Sequence, residues 1–564
     1  MPKIEFQPSG KTIEVVSGTN LLKAAVTAGV IIESPCNGAG VCGKCKVRLS
    51  PASLSAVKTT PGLLPSAETA LGYVLACHAT VIGDVRVAIP DVDGNRKMKI
   101  LHAGKSVELP FRPSVIKRYN STHDHTEVTR FDGKSLPSES GDTSDKVAAL
   151  AIDIGTTTLV VSLIDLRSGE ELASKSALNP QALRAGDVLS RIKIGSSEEG
   201  LALLYGEIAA EIDRLTGELA EETGIDRRHI YEAVYAGNTC MLHLAANVNP
   251  QSLGKLPFAS NLQTPADLPA KQIGLSINPG GTVHLPPVVS GFVGADITAG
   301  MLAVGIDELP GSTLFIDIGT NGEMILNRDG KMLATSTAAG PAFEGMNISC
   351  GMRALPGAVE FFKTGESGNL VRTIGGVPAV GLCGSGLIDV VAELVSAGAI
   401  DVNGKLARPA AADTVHSAIA PHLSEVEGKP AFKVAENVHL LQKDIRQVQL
   451  AKAAVRVGID LLLRNAGITP EQLDRVLVAG SFGYHLRTES LIRLGLLPEA
   501  FAGKVEFVGN TSLSGAKLLL TGADVRERLR QVSADVATVN LAETSDFQKV
   551  FVNAMSFENS WSKE

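Results

Sequence analysis

The most constraining feature of this chain is that it says the same thing twice. "ALAIDIGTTTLVVSLIDLRSGEELAS" (149–174) recurs as "TLFIDIGTNGEMILNRDGKMLAT" (313–335). Each copy opens with an apolar strand, breaks at Asp-Ile-Gly-Thr, runs into a second strand and turns at a glycine into a third. Later parts correspond as well. "YEAVYAGNTCMLHL" (231–244) parallels "LDRVLVAGSFGYHL" (473–486), a buried strand that ends in Ala-Gly and leads on into helix. "PVVSGFVGADITAGMLAVG" (287–305) parallels "VEFVGNTSLSGAKLLLTG" (505–522), a strand, a small-residue turn and a helix. A module used twice predicts two lobes of one topology with a cleft between them.

Short Gly/Thr turns expose N–H and hydroxyl donors to anionic oxygens, and a carboxylate at a strand end can neutralise a metal ion. One Asp-x-Gly-Thr is weak evidence. Two, each at the start of a matched lobe, are strong. The duplicated arrangement is similar to the acetate-kinase, sugar-kinase and actin superfamily over residues 147–540, where ATP lies between two ribonuclease-H-like lobes. By motif position the resemblance implies a first phosphate turn of Asp153, Gly155, Thr156, Thr157 and Thr158. It implies a second of Asp317, Gly319, Thr320, Asn321 and Gly322. Glu323 and Asp296 are candidates for positioning Mg²⁺ or the attacking water, and Gly480, Ser481 and Gly483 for facing the adenosine. Gly384, Ser385 and Gly386 sit at an expected helix start, where an anion is welcome. No G-x-x-x-x-G-K-[ST] occurs, which excludes a P-loop.

The first ninety residues read differently. "KIEFQPSGKTIEVV" alternates about Ser9-Gly10 as a β-hairpin, and "GTNLLKAAVTAGV" reads as a helix capped by Thr19 and stopped at Gly29. The expected fold is a small β-grasp sheet. Within it "PCNGAGVCGKCKV" places Cys36, Cys42 and Cys45 as C-x5-C-x2-C, with Cys77 following after a gap of 31 residues. Four of the chain's 7 cysteines lie here, and metal ligation explains that clustering better than disulfides. Gly38, Gly40 and Gly43 let amide N–H groups approach the sulfurs. The domain resembles the 2Fe–2S ferredoxins of the adrenodoxin-like subgroup. A structural zinc on the same four thiolates is the alternative. "GAGVCG" matches the dinucleotide fingerprint by letter only, without a preceding strand or a following helix. Cys240, Cys350 and Cys383 read as small buried hydrophobes.

The expected organisation is an α/β multidomain chain: a ferredoxin-like domain (1–90), a linker with one short hairpin (91–146), two ribonuclease-H-like lobes (147–306 and 307–540) and a tail (541–564). A net charge of −8, 4% aromatics and no basic run argue against nucleic acid as a partner. No run of 18 apolar residues and no apolar leader core occur, so no membrane span is expected and the cytosol is the expected compartment.

An electron carrier fused to an ATP-driven clamp suggests electron transfer driven uphill. Together with "LNPQALRAGDVLSRI" (178–192), "AGPAFEGMNISCGMRALPGA" (339–358) and "CGSGLID" (383–389), the combination resembles the ATP-dependent reductive activators of corrinoid proteins. That resemblance implies one-electron reduction of cob(II)alamin to cob(I)alamin in a corrinoid protein or B12-dependent methyltransferase. It also implies a reductase or ferredoxin as electron donor and, on resemblance alone, a homodimer. Some activators of this type carry C-terminal 4Fe–4S cysteines; none follows Cys383, so only the N-terminal cluster is implied. Three alternatives stay open. One is a redox ATPase like the activators of 2-hydroxyacyl-CoA dehydratases. Another is a small-molecule kinase with a redox-sensing ferredoxin. The third is a non-catalytic ferredoxin-linked module that merely docks a corrinoid protein.

Overall fold

The computed structural model describes all residues except 31, 33, 35–37, 39, 41–42, 61–63, 65, 90–103, 367, 481–485, 542–543, 545 and 559–564. The chain forms two compact units, one of residues 1–99, 182–187 and 341–448, the other of 100–181, 188–340 and 449–564.

In the first unit the alternation of "KIEFQ" and "KTIE" produces the expected hairpin, Lys3–Gln7 against Lys11–Glu14. Lys3–Gln7 then pairs in parallel with Val85–Ala88, and Lys46–Leu49 and Tyr73–Leu75 complete a five-stranded sheet. Helix Leu21–Thr27 covers it with Leu21, Ala24 and Ala25, so the segment has the β-grasp form. Its cap is Asn20 rather than Thr19. The Asn20 side chain accepts from the Leu22 and Lys23 amides, while Thr19 pairs with Val81 in a two-residue strand. The rest of this unit is built on two small three-stranded sheets, one holding Ala358–Gly365, Gly368–Thr373 and Gly381–Leu382, the other Leu423–Val426, Lys429–Ala435 and Val438–Leu441. Residues 341–448, which fall within the stretch expected as the second lobe, cluster with the ferredoxin-like sheet in this unit.

The second unit carries the duplication. Its first sheet has six strands, Glu171–Leu178, Thr158–Asp165, Ala148–Ile154, Ile230–Gly237, Thr282–Leu285 and Ala266–Pro269; its second has six, Ala537–Thr538, Lys331–Thr337, Gly322–Arg328, Ser312–Ile318, Arg475–Ala479 and Val505–Gly509. The five strands that correspond have the same order in both sheets, antiparallel among the three of the opening meander and parallel beyond, while Ala266–Pro269 adds antiparallel to Thr282–Leu285 and Ala537–Thr538 adds parallel to Lys331–Thr337. Ile230–Gly237, buried at every position, reads as a central strand covered on both faces. Helix Glu198–Thr223 starts at Ser197, whose side chain accepts from the Gly200 amide, and stops at left-handed Gly224. Its Leu204, Ile208, Ile212, Leu215 and Leu219 enter the first-lobe core at i, i+4, i+3 spacing.

Helices Ala295–Val304 and Thr511–Thr521, the equivalent elements of the two lobes, cross at equivalent glycines. A Cβ on Gly515 would fall 2.0 Å from Ala299 O, and one on Gly300 would fall 3.0 Å from Thr511 Oγ1. Only glycine allows that approach.

The segment expected to be a linker is structural. From Val115 to Ser140 it forms three antiparallel strands, not one hairpin. Its charged residues are answered elsewhere in the second unit. Lys117 Nζ donates to Glu139 Oε2 at 2.7 Å, the Tyr231 hydroxyl donates to Glu139 Oε1, and Arg130 Nη2 donates to Asp267 Oδ2 at 2.5 Å. A polar, punctuated sequence looked unstructured because those partners lie far along the chain. No helix among the described residues is long and apolar enough to cross a membrane.

Candidate functional site

Each Asp-Ile-Gly-Thr turn, the candidate for a phosphate, is a tight hairpin that its own main chain closes. In the first, Gly155 N donates to Thr158 O at 2.9 Å; in the second, Gly319 N donates to Asn321 O at 2.8 Å. The two turns meet: Thr157 Oγ1 lies 3.5 Å from Thr320 Oγ1. The strands beside them end in equivalent glycines. A Cβ on Gly237 would fall 2.8 Å from Ile154 O, and one on Gly480 would fall 2.5 Å from Ile318 O. Close backbone approach thus sets the spacing behind both Asp-Ile-Gly-Thr motifs.

The four candidate carboxylates share this region. Asp317 and Glu323 are direct cross-strand partners, a like-charge arrangement that is destabilising by itself. Glu323 is buried, and burial together with Asp296 and Asp317 holds its carboxyl well above the usual range. Burial and the neighbouring Asp153 push Asp296 up to about 7, although the Ile297 amide donates to it at 2.9 Å. Burial also raises Asp153, against the pull of two donors. These donors are Asn510 Nδ2 on Oδ2 at 2.9 Å and Ser512 Oγ on Oδ1 at 2.8 Å, both reaching from the second lobe to the first. Crowded acids of raised pKa are what a divalent cation would relieve. No three His, Cys, Asp or Glu side chains converge to ligate an ion directly among the described residues.

Sequence reasoning missed the residues that support this site. Asn238 and Asn510 each cap the helix that follows, Oδ1 accepting from Met241 N and Leu513 N respectively. Each turns its Nδ2 to the first Asp-Ile-Gly-Thr motif, Asn238 to Thr156 Oγ1 at 3.1 Å and Asn510 to Asp153. The shared Gly-Asn-Thr of "AGNTC" and "VGNTS" was the available signal. Gly384, Ser385 and Gly386 do open a helix, Gly384–Ser396, in the unit that does not contain the turns. Their size follows from packing. A Cβ on Gly384 or Gly386 would collide with Phe343 O or Val359 O, and Ser385 Oγ donates to Glu360 O at 2.9 Å. Ser481 and Gly483 lie outside the described residues.

In the ferredoxin-like sheet, Cys36 and Cys42 also lie outside the described residues. Cys45 and Cys77 are free thiols with sulfurs 3.2 Å apart, too far for a disulfide. That separation is close to the roughly 3.7 Å edge of a tetrahedron of thiolates about one metal. Gly38, Gly40 and Gly43 all have positive φ, which shapes the loop around that point. The Cys45 and Cys77 sulfurs therefore fit two ligand positions of a thiolate-bound cluster. Lys44, next to Cys45, donates from Nζ to Gly351 O at 2.5 Å, tying the cluster loop to the 341–448 segment of the same unit. Of the remaining cysteines, Cys240 and Cys383 are buried, whereas Cys350 is half-buried.

Comparison with known proteins gives three family matches: a 2Fe-2S iron-sulfur cluster binding domain over residues 4–81, the RACo middle region over 148–309, and the C-terminal ASKHA domain of RACo over 311–563. The chain is 35% identical to the corrinoid activation enzyme RamQ of Eubacterium limosum, over 73% of this chain and 71% of that one. It is 27% identical to a reductase of the Co(II) methylated amine-specific corrinoid protein of Methanosarcina barkeri, over 72% of this chain and 76% of that one. Among solved structures it is similar to a reductive activator for corrinoid, iron-sulfur protein, with a TM-score of 0.73 and 31% identity, covering 99% of this chain and 98% of that one.

Proposed function

This chain belongs to the family of reductive activators of corrinoid proteins, and we propose that it uses ATP to deliver one electron to the cobalt(II) of a partner corrinoid protein, returning it to cobalt(I). The observation that carries the nucleotide half of this reading is the meeting of the two phosphate turns at Thr157 and Thr320 beside four carboxylates.

In this reading the N–H groups and hydroxyls of Gly155–Thr158 and Gly319–Gly322 hold the phosphates of ATP from two sides. Asp153, Asp296, Asp317 and Glu323 hold hydrated Mg²⁺ and orient the attacking water. Catalysis of this kind rests on positioning and electrostatics. In this reading Gly480 lies on the adenosine side. Cys36, Cys42, Cys45 and Cys77 hold the 2Fe–2S cluster, which supplies a single low-potential electron after reduction by an electron-donating reductase or ferredoxin.

The thermodynamic lever is the difference in partner binding between nucleotide states. About 59 mV corresponds to tenfold for one electron, so about 4 kcal/mol of differential binding shifts the couple by roughly 170 mV.

The test combines the reduced protein, ATP-Mg²⁺ and an oxidised corrinoid protein and follows the cobalt(II)-to-cobalt(I) absorbance change. A rate that does not depend on ATP refutes the proposal. Asp317→Ala separates it from a docking-only role: loss of reactivation with the cluster still present supports the ATP-driven reading, and unimpaired reactivation supports docking.

A further inference from the structure

One side chain beside the first turn decides which way a hydroxyl points. Asn238 is buried just after strand Ile230–Gly237 and caps the short helix that follows, its Oδ1 accepting from the Met241 amide at 3.1 Å. A main-chain N–H can only donate, so the side-chain amide has no freedom to flip: its oxygen faces the helix and its Nδ2 faces the turn. There Nδ2 donates to Thr156 Oγ1 at 3.1 Å. An amide nitrogen does not accept, so the Thr156 oxygen is the acceptor and the hydroxyl's own hydrogen is aimed elsewhere. Thr156 is only 7% exposed, yet among the described residues nothing accepts that hydrogen.

Both partners are held from several sides. The Thr156 carbonyl accepts from Arg191 Nη2 of helix Val188–Gly195. The main chain of Asn238 lies against Gly294, where a Cβ would fall 2.5 Å from Asn238 Cα, and the next residue, Thr239, donates from Oγ1 to Ser290 O at 2.7 Å. Asn238 is thereby seated against the loop that leads to Asp296. Asn510 supplies the contrast. Its Nδ2 donates to a carboxylate oxygen of Asp153, an acceptor from whichever side it is approached, so the amide there settles no direction. A hydroxyl can face either way, and at Thr156 the amide makes a choice that the threonine by itself leaves open. Turned outward, the hydroxyl offers a donor to an anionic oxygen; a Mg²⁺ ion would need its lone pairs, one of which Asn238 already occupies.

We propose that Asn238 is a positioning residue that turns the Thr156 hydroxyl outward as a donor to a phosphate oxygen of the nucleotide, so that Thr156 meets the polyphosphate and not the Mg²⁺ ion. This rests on the nucleotide reading above and deepens it. A chain of hydrogen bonds with one polarity, from the Met241 N–H through the Asn238 amide to the Thr156 hydroxyl, ends on the phosphate.

The test is a double-mutant cycle on ATP affinity in the full-length protein with its cluster in place, measured by titration calorimetry with adenosine as the reference ligand. Thr156→Val removes the hydroxyl and is expected to lower ATP affinity about tenfold, by the same factor in Mg²⁺ and in EDTA, while changing adenosine affinity less than twofold. Asn238→Asp keeps a good helix cap but offers Thr156 only an acceptor, which draws the hydroxyl hydrogen back. It is expected to lower ATP affinity at least tenfold. In the Thr156→Val background it acts through its charge alone, and its effect is expected to be at least fivefold smaller. Should Asn238→Asp give no cooperative melt, Asn238→Ser, a neutral cap without the amide donor, replaces it in the same cycle, with at least a threefold loss expected beside Thr156 and none beside Val. Equal effects in the two backgrounds overturn this inference alone, as does a Thr156→Val loss confined to Mg²⁺, which would make the hydroxyl a ligand of the ion. A purely structural role would weaken ATP and adenosine together, and that result also overturns it. Failure of the wild-type protein to bind ATP overturns the nucleotide reading and this inference with it.

Discussion

The bonds that Asn510 and Ser512 make to Asp153 join the lobes at the phosphate site, and their strength can be worked out. Ser512 Oγ donates to Asp153 Oδ1 at 2.8 Å. A hydrogen bond to a charged group is worth about 1.5–3 kcal/mol, so Ser512→Ala should cost that much stability. Asn510→Ala loses a bond of the same class at 2.9 Å and also the helix cap on Leu513 N at 3.0 Å. The cap adds about 1 kcal/mol, for a total of about 2.5–4 kcal/mol. In an Asp153→Ala background, Ser512→Ala should be nearly silent, because the acceptor is already gone. Urea unfolding of the four proteins in that cycle measures the coupling, expected at about 1.5–3 kcal/mol. ATP turnover provides a second readout, expected to fall at least about tenfold in Ser512→Ala as Asp153 loses its orientation, with the cluster absorbance unchanged. Strict additivity of the two substitutions, with coupling below about 0.5 kcal/mol, would show that Ser512 does not hold Asp153 and refute the reasoning.

Three further outcomes follow from other parts of the molecule. Cys45→Ser should abolish the visible absorbance of the cluster while leaving ATP affinity within twofold, since the sulfurs of Cys45 and Cys77 are 3.2 Å apart in a different unit from the turns; retained absorbance would remove Cys45 from the ligand set. Gly515→Val places a side chain 2.0 Å from Ala299 O and should destabilise the second unit by more than about 4 kcal/mol, read as loss of the cooperative melt at growth temperature. Burial and the Arg526 charge hold the His284 imidazole below its ordinary value despite the Asp267 carboxylate at 2.7 Å, with Glu232 and Arg130 completing its charged surroundings. The folded state thus binds fewer protons at this residue than the unfolded state. Its contribution is intact above about pH 6.5 and is lost as pH falls through the depressed value, and His284→Gln should flatten that part of the stability profile.

Much of the architecture was legible because it follows from local pattern. The period-two alternation of "KIEFQ" and "KTIE" was enough for the hairpin, and the repeated Asp-Ile-Gly-Thr strands were enough for two lobes of one strand order. Where partners are distant, the pattern failed. Arg130 and Glu139 fall in the expected linker, and their partners Asp267 and Tyr231 come from the first lobe. Asn20 displaced Thr19 as the cap because Thr19 is drawn into pairing with Val81. The Gly384–Gly386 turn looked like an anion site from its residue types, whereas Phe343 O and Val359 O explain its small residues by close packing.

The sequence by itself determined the chemistry on offer: four cysteines at cluster spacing, two phosphate turns, and carboxylates at their strand ends. Those depend on residue type and short-range spacing, which the chain carries wherever it folds. The tertiary structure decided how that chemistry is held. It set the turns 3.5 Å apart at Thr157 and Thr320, gripped Asp153 from the other lobe through Asn510 and Ser512, and buried Arg191 behind Thr156. Each of these joins residues between 35 and 359 positions apart. No local periodicity encodes such contacts; the Arg191 contact comes from the folding of one lobe on itself, and the others exist because two copies of one module pack against each other.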